Sequence, residues 1–237
     1  MEKERLLRLL EKAAIEVRGL LPWSSNYTFL VHLKDEALES LAVYKPRAGE
    51  TPLWDFPQGT LCLREYAAFL VSEALGWSLV PPTVLRDGPH GFGMVQLYVE
   101  ADPEEHYFTM RGRFVPQFRR IAVFDYVINN ADRKSGHVLR DRQDHIWVID
   151  HGVTFHAQYK LRTVIWDFAG QPIPEPILED LSRLEEALAA PTPLAEALSS
   201  LLAGPEVRAF RHRIRHLLQQ RTFPHPGPGR RVPWPLV

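Results

Sequence analysis

The stretch Asp125-Tyr126-Val127-Ile128-Asn129-Asn130-Ala131-Asp132-Arg133 carries an apolar helix into a polar loop, and eighteen positions after Asp132 comes a second acidic stretch, Val148-Ile149-Asp150-His151-Gly152. Pro116 opens the helix, Ile121, Val123, Phe124 and Val127 continue it, and Asn129-Asn130 ends it. Between the two aspartates, His137 to Arg140 and His145 to Ile149 read as short strands turned by Arg142-Gln143-Asp144. The pattern therefore sets one carboxylate at each end of a small hairpin.

Working outward toward the N-terminus, residues 3 to 18 carry Leu6, Leu9, Leu10, Ala13 and Val17 at helical spacing, with Gly19 as a stop. Strand-like runs follow at Asn26 to Leu33 and Ser40 to Lys45, then a loop from Pro46 to Gly59. A helix is expected from Thr60, read as its N-cap, to just before Gly76. Thr83 to Arg86 and Gly91 to Val99 form a hairpin around Asp87-Gly88. Toward the C-terminus the pattern is helical at about 175 to 189, 193 to 203 and 205 to 221. The tail from Pro224 holds five prolines in fourteen residues and is expected to be extended and poorly packed. Strands first and helices later define an α+β protein: a strand-rich N-lobe at 1–99, a helical C-lobe at 100–223 and a Pro-rich tail at 224–237.

Composition bounds the function. With 237 residues, 45% of them hydrophobic, the chain can build one large domain or two lobes. Lys plus Arg is 28 and Asp plus Glu is 29, so no general basic excess draws it onto nucleic acid or anionic lipid. The single cysteine, Cys62, excludes an internal disulfide and a cysteine-based zinc site. The charged, amphipathic start is unlike a signal peptide, and no apolar run reaches the roughly 18 residues that span a bilayer. A cytoplasmic protein is expected, with no nucleic-acid partner and no stable membrane anchor. Of the 28 basic residues 22 are Arg and only 6 are Lys, which singles out Lys45 after the apolar run Leu41-Ala42-Val43-Tyr44.

Lys45 at a strand end, Glu65 in the first turns of the next helix, and Asp132 and Asp150 flanking the hairpin are the residue types that phosphoryl transfer needs. That reaction asks the protein to position nucleotide phosphates, hold a divalent metal and set a carboxylate beside the attacking hydroxyl. A compact ammonium suits the phosphates and an acidic helix residue fixes it. Asp132 can orient or accept the nucleophile's proton, and Asp150 can bind metal while Gly152 lets the chain turn. Each residue alone also has an ordinary reading: a lysine snorkelling from a strand end, a solvated glutamate beside Arg64, and two turn aspartates. It is their occurrence together, in this order, that points to chemistry.

Ala42-Val43-Tyr44-Lys45-Pro46, Leu63-Arg64-Glu65-Tyr66, Val80-Pro81-Pro82-Thr83, Val95-Gln96-Leu97-Tyr98-Val99 and the two aspartate stretches resemble successive motifs of the phosphatidylinositol 3-/4-kinase-like superfamily. The chain is most similar to the type II phosphatidylinositol 4-kinases and, more closely still, to a bacterial family of such proteins; the resemblance spans about residues 24 to 170. It implies a two-lobed protein-kinase-like fold and an ATP-dependent kinase using Mg2+ or Mn2+. By position it implies that Lys45 contacts the α- and β-phosphates, that Glu65 pairs with Lys45, and that Gln96, Leu97, Tyr98 and Val99 form the hinge reading adenine. Asp132 becomes the catalytic aspartate and Asp150 the metal-binding one, while Ser24, Ser25 and Asn26 stand where the phosphate-covering loop belongs, without its glycines. The family's second metal ligand, usually Asn, is His137 here, and the cysteine cluster that lipidates type II lipid kinases is absent.

The leading expectation is a phosphotransferase acting on a protein or small-molecule hydroxyl rather than on lipid. A nucleotide-binding regulator with impaired catalysis is the alternative that His137 and the missing glycines motivate. A metal-dependent hydrolase is a third, since His106, His137, His145, His151 and His156 fall within about fifty residues, though with no HExxH spacing.

Overall fold

Alternation of apolar and polar side chains shapes the first hundred residues. The computed structural model describes residues 2–22 and 26–237. Helix α1 (Glu2–Lys12) is followed by strands β1 (Ala14–Leu20), β2 (Phe29–Lys34) and β3 (Glu39–Pro46), then by helix α2 (Leu61–Ala74) and strands β4 (Thr83–Gly88) and β5 (Gly91–Leu97). The five strands form an antiparallel sheet in the order β1-β2-β3-β5-β4. Alternate residues of β2 and β3, namely Val31, Leu33, Ala42 and Tyr44, are buried with Leu9 and Leu10 of α1. That alternation leaves Val43 and Lys45 to the opposite face of β3.

The expected helix over residues 3 to 18 is corrected to a helix and a strand. Ile15 and Val17 are β-branched and alternate with polar neighbours, so from Ala14 onward the chain pairs with β2. Val17, assigned to a helical apolar face, lies exposed on β1. Lys45 is held in register opposite Met94, and the next pair, Pro46 and Gly93, shows how tightly the strands approach. A Cβ on Gly93 would sit 2.3 Å from Lys45 O, so only glycine permits β5 to lie this close.

The remainder is helical around a small hairpin: α3 (Tyr107–Met110), α4 (Val115–Ile128), β6 (Val138–Arg140), β7 (Ile146–Val148), α5 (Glu175–Ala189), α6 (Pro193–Leu201) and α7 (Gly204–Gln220). Phe118, Ile121, Phe124 and Val127 of α4 are buried with Leu181, Leu184, Phe210, Ile214 and Leu217, and the inner face of α2 joins the same core through Ala67, Ala68 and Val71. Burial of each such large apolar side chain contributes roughly 1.5–3 kcal/mol. Helix α2 is also tied down by charge, because the buried Arg64 donates to Glu206 Oε1 at 2.7 Å and to Thr154 O at 2.7 Å.

Two further expectations change. Thr60 does not cap α2; its hydroxyl donates to Pro57 O, and the Glu50 carboxylate accepts from Leu61 N at 3.1 Å and Cys62 N at 2.9 Å instead. A carboxylate at this end also faces the positive pole of the helix. The Pro-rich tail is docked rather than loose: Ser135 N donates to Leu236 O, and Thr163 N and Trp166 Nε1 to Arg231 O. Prolines lack the donor but keep the acceptor, so a tail rich in them can be held through its carbonyls.

Candidate active site

Strand β3, helix α2 and the segment after β7 bring three ionic side chains together. Lys45 Nζ lies 2.6 Å from Glu65 Oε1 and 3.0 Å from Asp150 Oδ1. Glu65 is buried, and its second oxygen accepts from His151 N at 2.7 Å, so one carboxylate fixes both the lysine and the segment carrying Asp150. Asp150 adopts a left-handed backbone (φ 63°), which an ordinary residue keeps only where its surroundings enforce it. The His151 N to Glu65 bond on one side and Ile149 O, accepting from Arg133 Nη1 at 2.7 Å, on the other are that enforcement.

Charge follows geometry. Burial disfavours the Lys45 ammonium, yet the Asp150 and Glu65 carboxylates outweigh it and hold its pKa above the ordinary value. The Lys45 ammonium in turn outweighs burial at Asp150 and holds that carboxyl well below the usual range. His137 Nε2 is 3.4 Å from Asp150 Oδ2, and burial pushes its imidazole down to about 4. At neutral pH the ring is therefore uncharged and one of its nitrogens carries a lone pair. Asp132 lies in the loop after α4, where its amide donates to Asn130 Oδ1 at 3.0 Å and its carboxylate meets Lys134 Nζ at 3.3 Å. Burial raises its pKa, and Lys134 opposes the rise.

Beneath this loop is a second ionic cluster that the sequence reading passed over. Arg133 is fully buried; its Nε donates to both Asp125 oxygens at 3.1 Å, and Nη2 reaches His151 Nε2 at 2.7 Å. A guanidinium cannot accept, so His151 Nε2 accepts and its ring proton sits on Nδ1, 3.8 Å from Glu65 Oε2. Asp125 also receives Asn130 Nδ2 and Thr163 Oγ1. Asp125 and Arg133 bracket the quoted stretch eight positions apart, and that spacing was the available signal.

The other expected site residues are placed as follows. Gln96 is buried and donates to Thr83 Oγ1, while the amides of Leu97 and Tyr98 donate to Pro82 O and Leu41 O. Val99 follows at the end of the same run. Asn26 Oδ1 accepts from Thr51 N at 2.7 Å, which ties the turn before β2 to the loop after β3. Ser24 and Ser25 lie outside the described residues. Of the five clustered histidines, His145 is bonded to Ser78 O, His156 lies edge-on to Phe56 and His106 edge-on to Phe108. Among the described residues no three His, Cys, Asp or Glu side chains are grouped to hold a metal. A metal here would rest on Asp150 and His137 with nucleotide oxygens completing its shell; the carboxylate and phosphate oxygens suit Mg2+, whereas the imidazole suits a transition metal better.

The family described as "Phosphatidylinositol 3- and 4-kinase" matches residues 86–204, a span that includes both Asp132 and Asp150. Protein Rv2133c of Mycobacterium tuberculosis is 41% identical over 263 aligned positions, covering 96% of this chain and 94% of that one. The chain belongs to the phosphatidylinositol 3- and 4-kinase family. Phosphatidylinositol 4-kinase gamma 4 of Oryza sativa subsp. japonica is a more distant member, 28% identical over 171 positions, with 56% of this chain and 30% of that one covered. The fold of this chain, an N-terminal sheet lobe and a C-terminal helical lobe, is shared with solved kinase structures. The Golgi casein kinase with Mn/ADP bound superposes with a TM-score of 0.54 at 16% identity, over 92% of this chain and 74% of that one. The Helicobacter pylori proinflammatory kinase CtkA gives 0.55 at 12% identity, over 90% and 94%. No helix among the described residues is long and apolar enough to cross a membrane.

Proposed function

We propose that this family member is an ATP- and divalent-metal-dependent phosphotransferase that transfers the γ-phosphate to a hydroxyl of a protein or small molecule. The observation that carries the reading is Lys45 Nζ within hydrogen-bond reach of both Glu65 and Asp150, residues drawn from three separate elements. In this reading Lys45 neutralises the α- and β-phosphates and Glu65 keeps it in place. Asp150 and His137 hold Mg2+ or Mn2+, which supplies charge neutralisation at the transferring phosphate. Asp132 orients the acceptor hydroxyl and takes its proton. Val99 offers its backbone amide to adenine, the Leu97 and Tyr98 amides being committed within the sheet lobe. Asn26, with Ser24 and Ser25, covers the phosphates. The Mn/ADP bound to the Golgi casein kinase supports the choice of nucleotide and metal.

A second reading, a nucleotide-binding regulator with impaired catalysis, is favoured by one observation. Lys134 N approaches His137 Nδ1 at 3.4 Å, which leaves the ring proton on Nε2, directed at Asp150 rather than free to bind metal. Incubation with γ-labelled ATP and Mg2+ or Mn2+, alone and with cell lysate, separates the two. The phosphotransferase reading expects label in a protein or small molecule; ATP binding without transfer under either metal overturns it in favour of the regulator.

A further inference from the structure

The loop between β3 and α2, residues 47–60, reads in sequence as a plain connector, yet it reaches across to the segment that follows Asp150. Asp55 Oδ2 accepts from Lys160 Nζ at 2.8 Å, joining residues 105 positions apart, with side chains only 16% and 12% exposed. The same ammonium lies over the Trp54 ring, 5.2 Å from its centroid, a contact that adds to the pair. One position on, Phe56 is buried edge-on to His156, ring centroids 5.3 Å apart, with the Arg64 guanidinium 4.9 Å from its own centroid. Arg64 in turn donates to Thr154 O at 2.7 Å. The sheet lobe thus grips the segment at three points, Thr154, His156 and Lys160.

The same segment is tied to the end of α4. Asn129 Nδ2 donates to His156 O at 2.9 Å and to Gln158 O at 2.7 Å, and Lys160 N donates to Asn129 Oδ1 at 2.8 Å. Lys160 therefore takes its backbone anchor from the helical lobe and its side-chain anchor from the sheet lobe. Burial disfavours the Asp55 carboxylate, and the Lys160 ammonium outweighs it and holds that carboxyl below its ordinary range, so the pair is charged at neutral pH. Upstream, Glu65, next to Arg64 on α2, holds both Lys45 and His151 N. Asp150 thus stands at the head of a segment fastened to α2 and to the loop before it. In switchable enzymes such a segment is ordered by an added phosphate that pairs with a cation. Here a resident carboxylate, Asp55, fills that chemical role, and its cation is already in place.

We propose that the loop between β3 and α2 is a built-in positioning strap: Asp55 and Phe56 hold the segment after Asp150 through Lys160 and His156, so that Asp150 is kept beside Lys45 without phosphorylation or a partner protein. Its consequence for catalysis rests on the phosphotransferase reading; the grip itself does not. Asp55, Phe56 and Lys160 are positioning residues, acting on the reaction through Asp150.

The test uses the intact, phosphatase-treated chain. Asp55→Asn, Lys160→Gln and the reversal Asp55→Lys/Lys160→Asp are compared with wild type by hydrogen exchange, by calorimetric titration with ATP in the presence and absence of Mn2+, and by release of labelled phosphate from γ-labelled ATP. Each single variant is expected to exchange about tenfold faster at residues 151–160 while α4 and α7 keep wild-type protection. ATP should bind as in wild type without metal and severalfold more weakly with Mn2+, turnover should fall with it, and the reversal should restore exchange, affinity and turnover. Unchanged exchange in both single variants overturns the strap. Faster exchange with an unaltered Mn2+-dependent affinity overturns the positioning role, and faster exchange spread equally over α4 and α7 does so too, because the pair then supports the fold as a whole. Loss of the Mn2+-dependent affinity when wild type is treated with phosphatase also overturns the proposal. Exchange that follows the pair in a protein that binds no ATP upholds the grip and removes the phosphotransferase reading instead.

Discussion

The Lys45–Glu65–Asp150 cluster and the Asp125–Arg133–His151 cluster use the same kinds of group and meet at adjacent residues, Asp150 and His151, yet differ in access to water. Lys45 and Asp150 side chains are 19% and 46% exposed, whereas Arg133 and Asp125 are at 0%. In the inner cluster the guanidinium is surrounded by Asp125, Ile149 O and His151, with nothing left to offer a ligand. In the outer one the ammonium has three donors and uses two, and the Asp150 side chain is open to solvent. A fully satisfied buried pair shapes the loop, and a half-open pair can exchange one partner for phosphate or metal. Burial and spare valence, rather than residue type, separate the two roles.

That contrast can be broken most severely from inside. Arg133→Met leaves Asp125 charged and unpaired in the core, which costs about 3–5 kcal/mol; thermal unfolding is expected to show a large loss of stability, and retention of the wild-type Tm would mean the inner cluster does not hold the fold. If Asp132 is the proton acceptor of the proposed reaction, Asp132→Asn is expected to keep the fold and nucleotide affinity but to lower turnover roughly a hundredfold or more, since such a group acts in the transition state. Loss of ATP binding in that variant would reassign Asp132 to the metal.

Smaller effects sharpen the comparison. Glu50→Gln weakens the N-terminal cap of α2 and is expected to cost about 1 kcal/mol in denaturant unfolding, with ATP affinity little changed. His137 is held neutral in the fold, with its pKa moved from 6.5 to about 4. As pH falls through this window the unfolded chain takes a proton that the folded chain does not, so stability declines with falling pH. His137→Asn should flatten the Tm profile between about pH 6.5 and 4; an unchanged slope would show that residue 137 is not buried as described.

The outer cluster was legible because its residues stand out in sequence: one lysine in an arginine-rich chain, an acidic residue on the next helix, and two aspartates about a hairpin. Arg133 stood in the same quoted stretch but reads as a turn residue beside Asp132, because its burial depends on Asp125, Ile149 and His151 folding over it. Strand β1 was hidden for a different reason: Leu6 to Val17 also fits a helical period, and only pairing with β2 decides against it. The tail looked loose from its prolines, whereas its docking uses backbone carbonyls, which composition does not display. The cap of α2 came from Glu50, eleven positions before Leu61, beyond the reach of a local capping pattern.

On the proposed reading the outer cluster is a nucleotide site, distinct in role from the inner one. Titrating wild type and Lys45→Met with ATP in the presence of Mg2+ or Mn2+, with thermal unfolding of both, tests it directly. Removing the ammonium should cost about 1.5–3 kcal/mol of binding, a roughly ten- to hundredfold weaker Kd, while the variant stays folded. Equal ATP affinity in the two proteins would contradict the account and return Lys45 to the role of a strand-end residue.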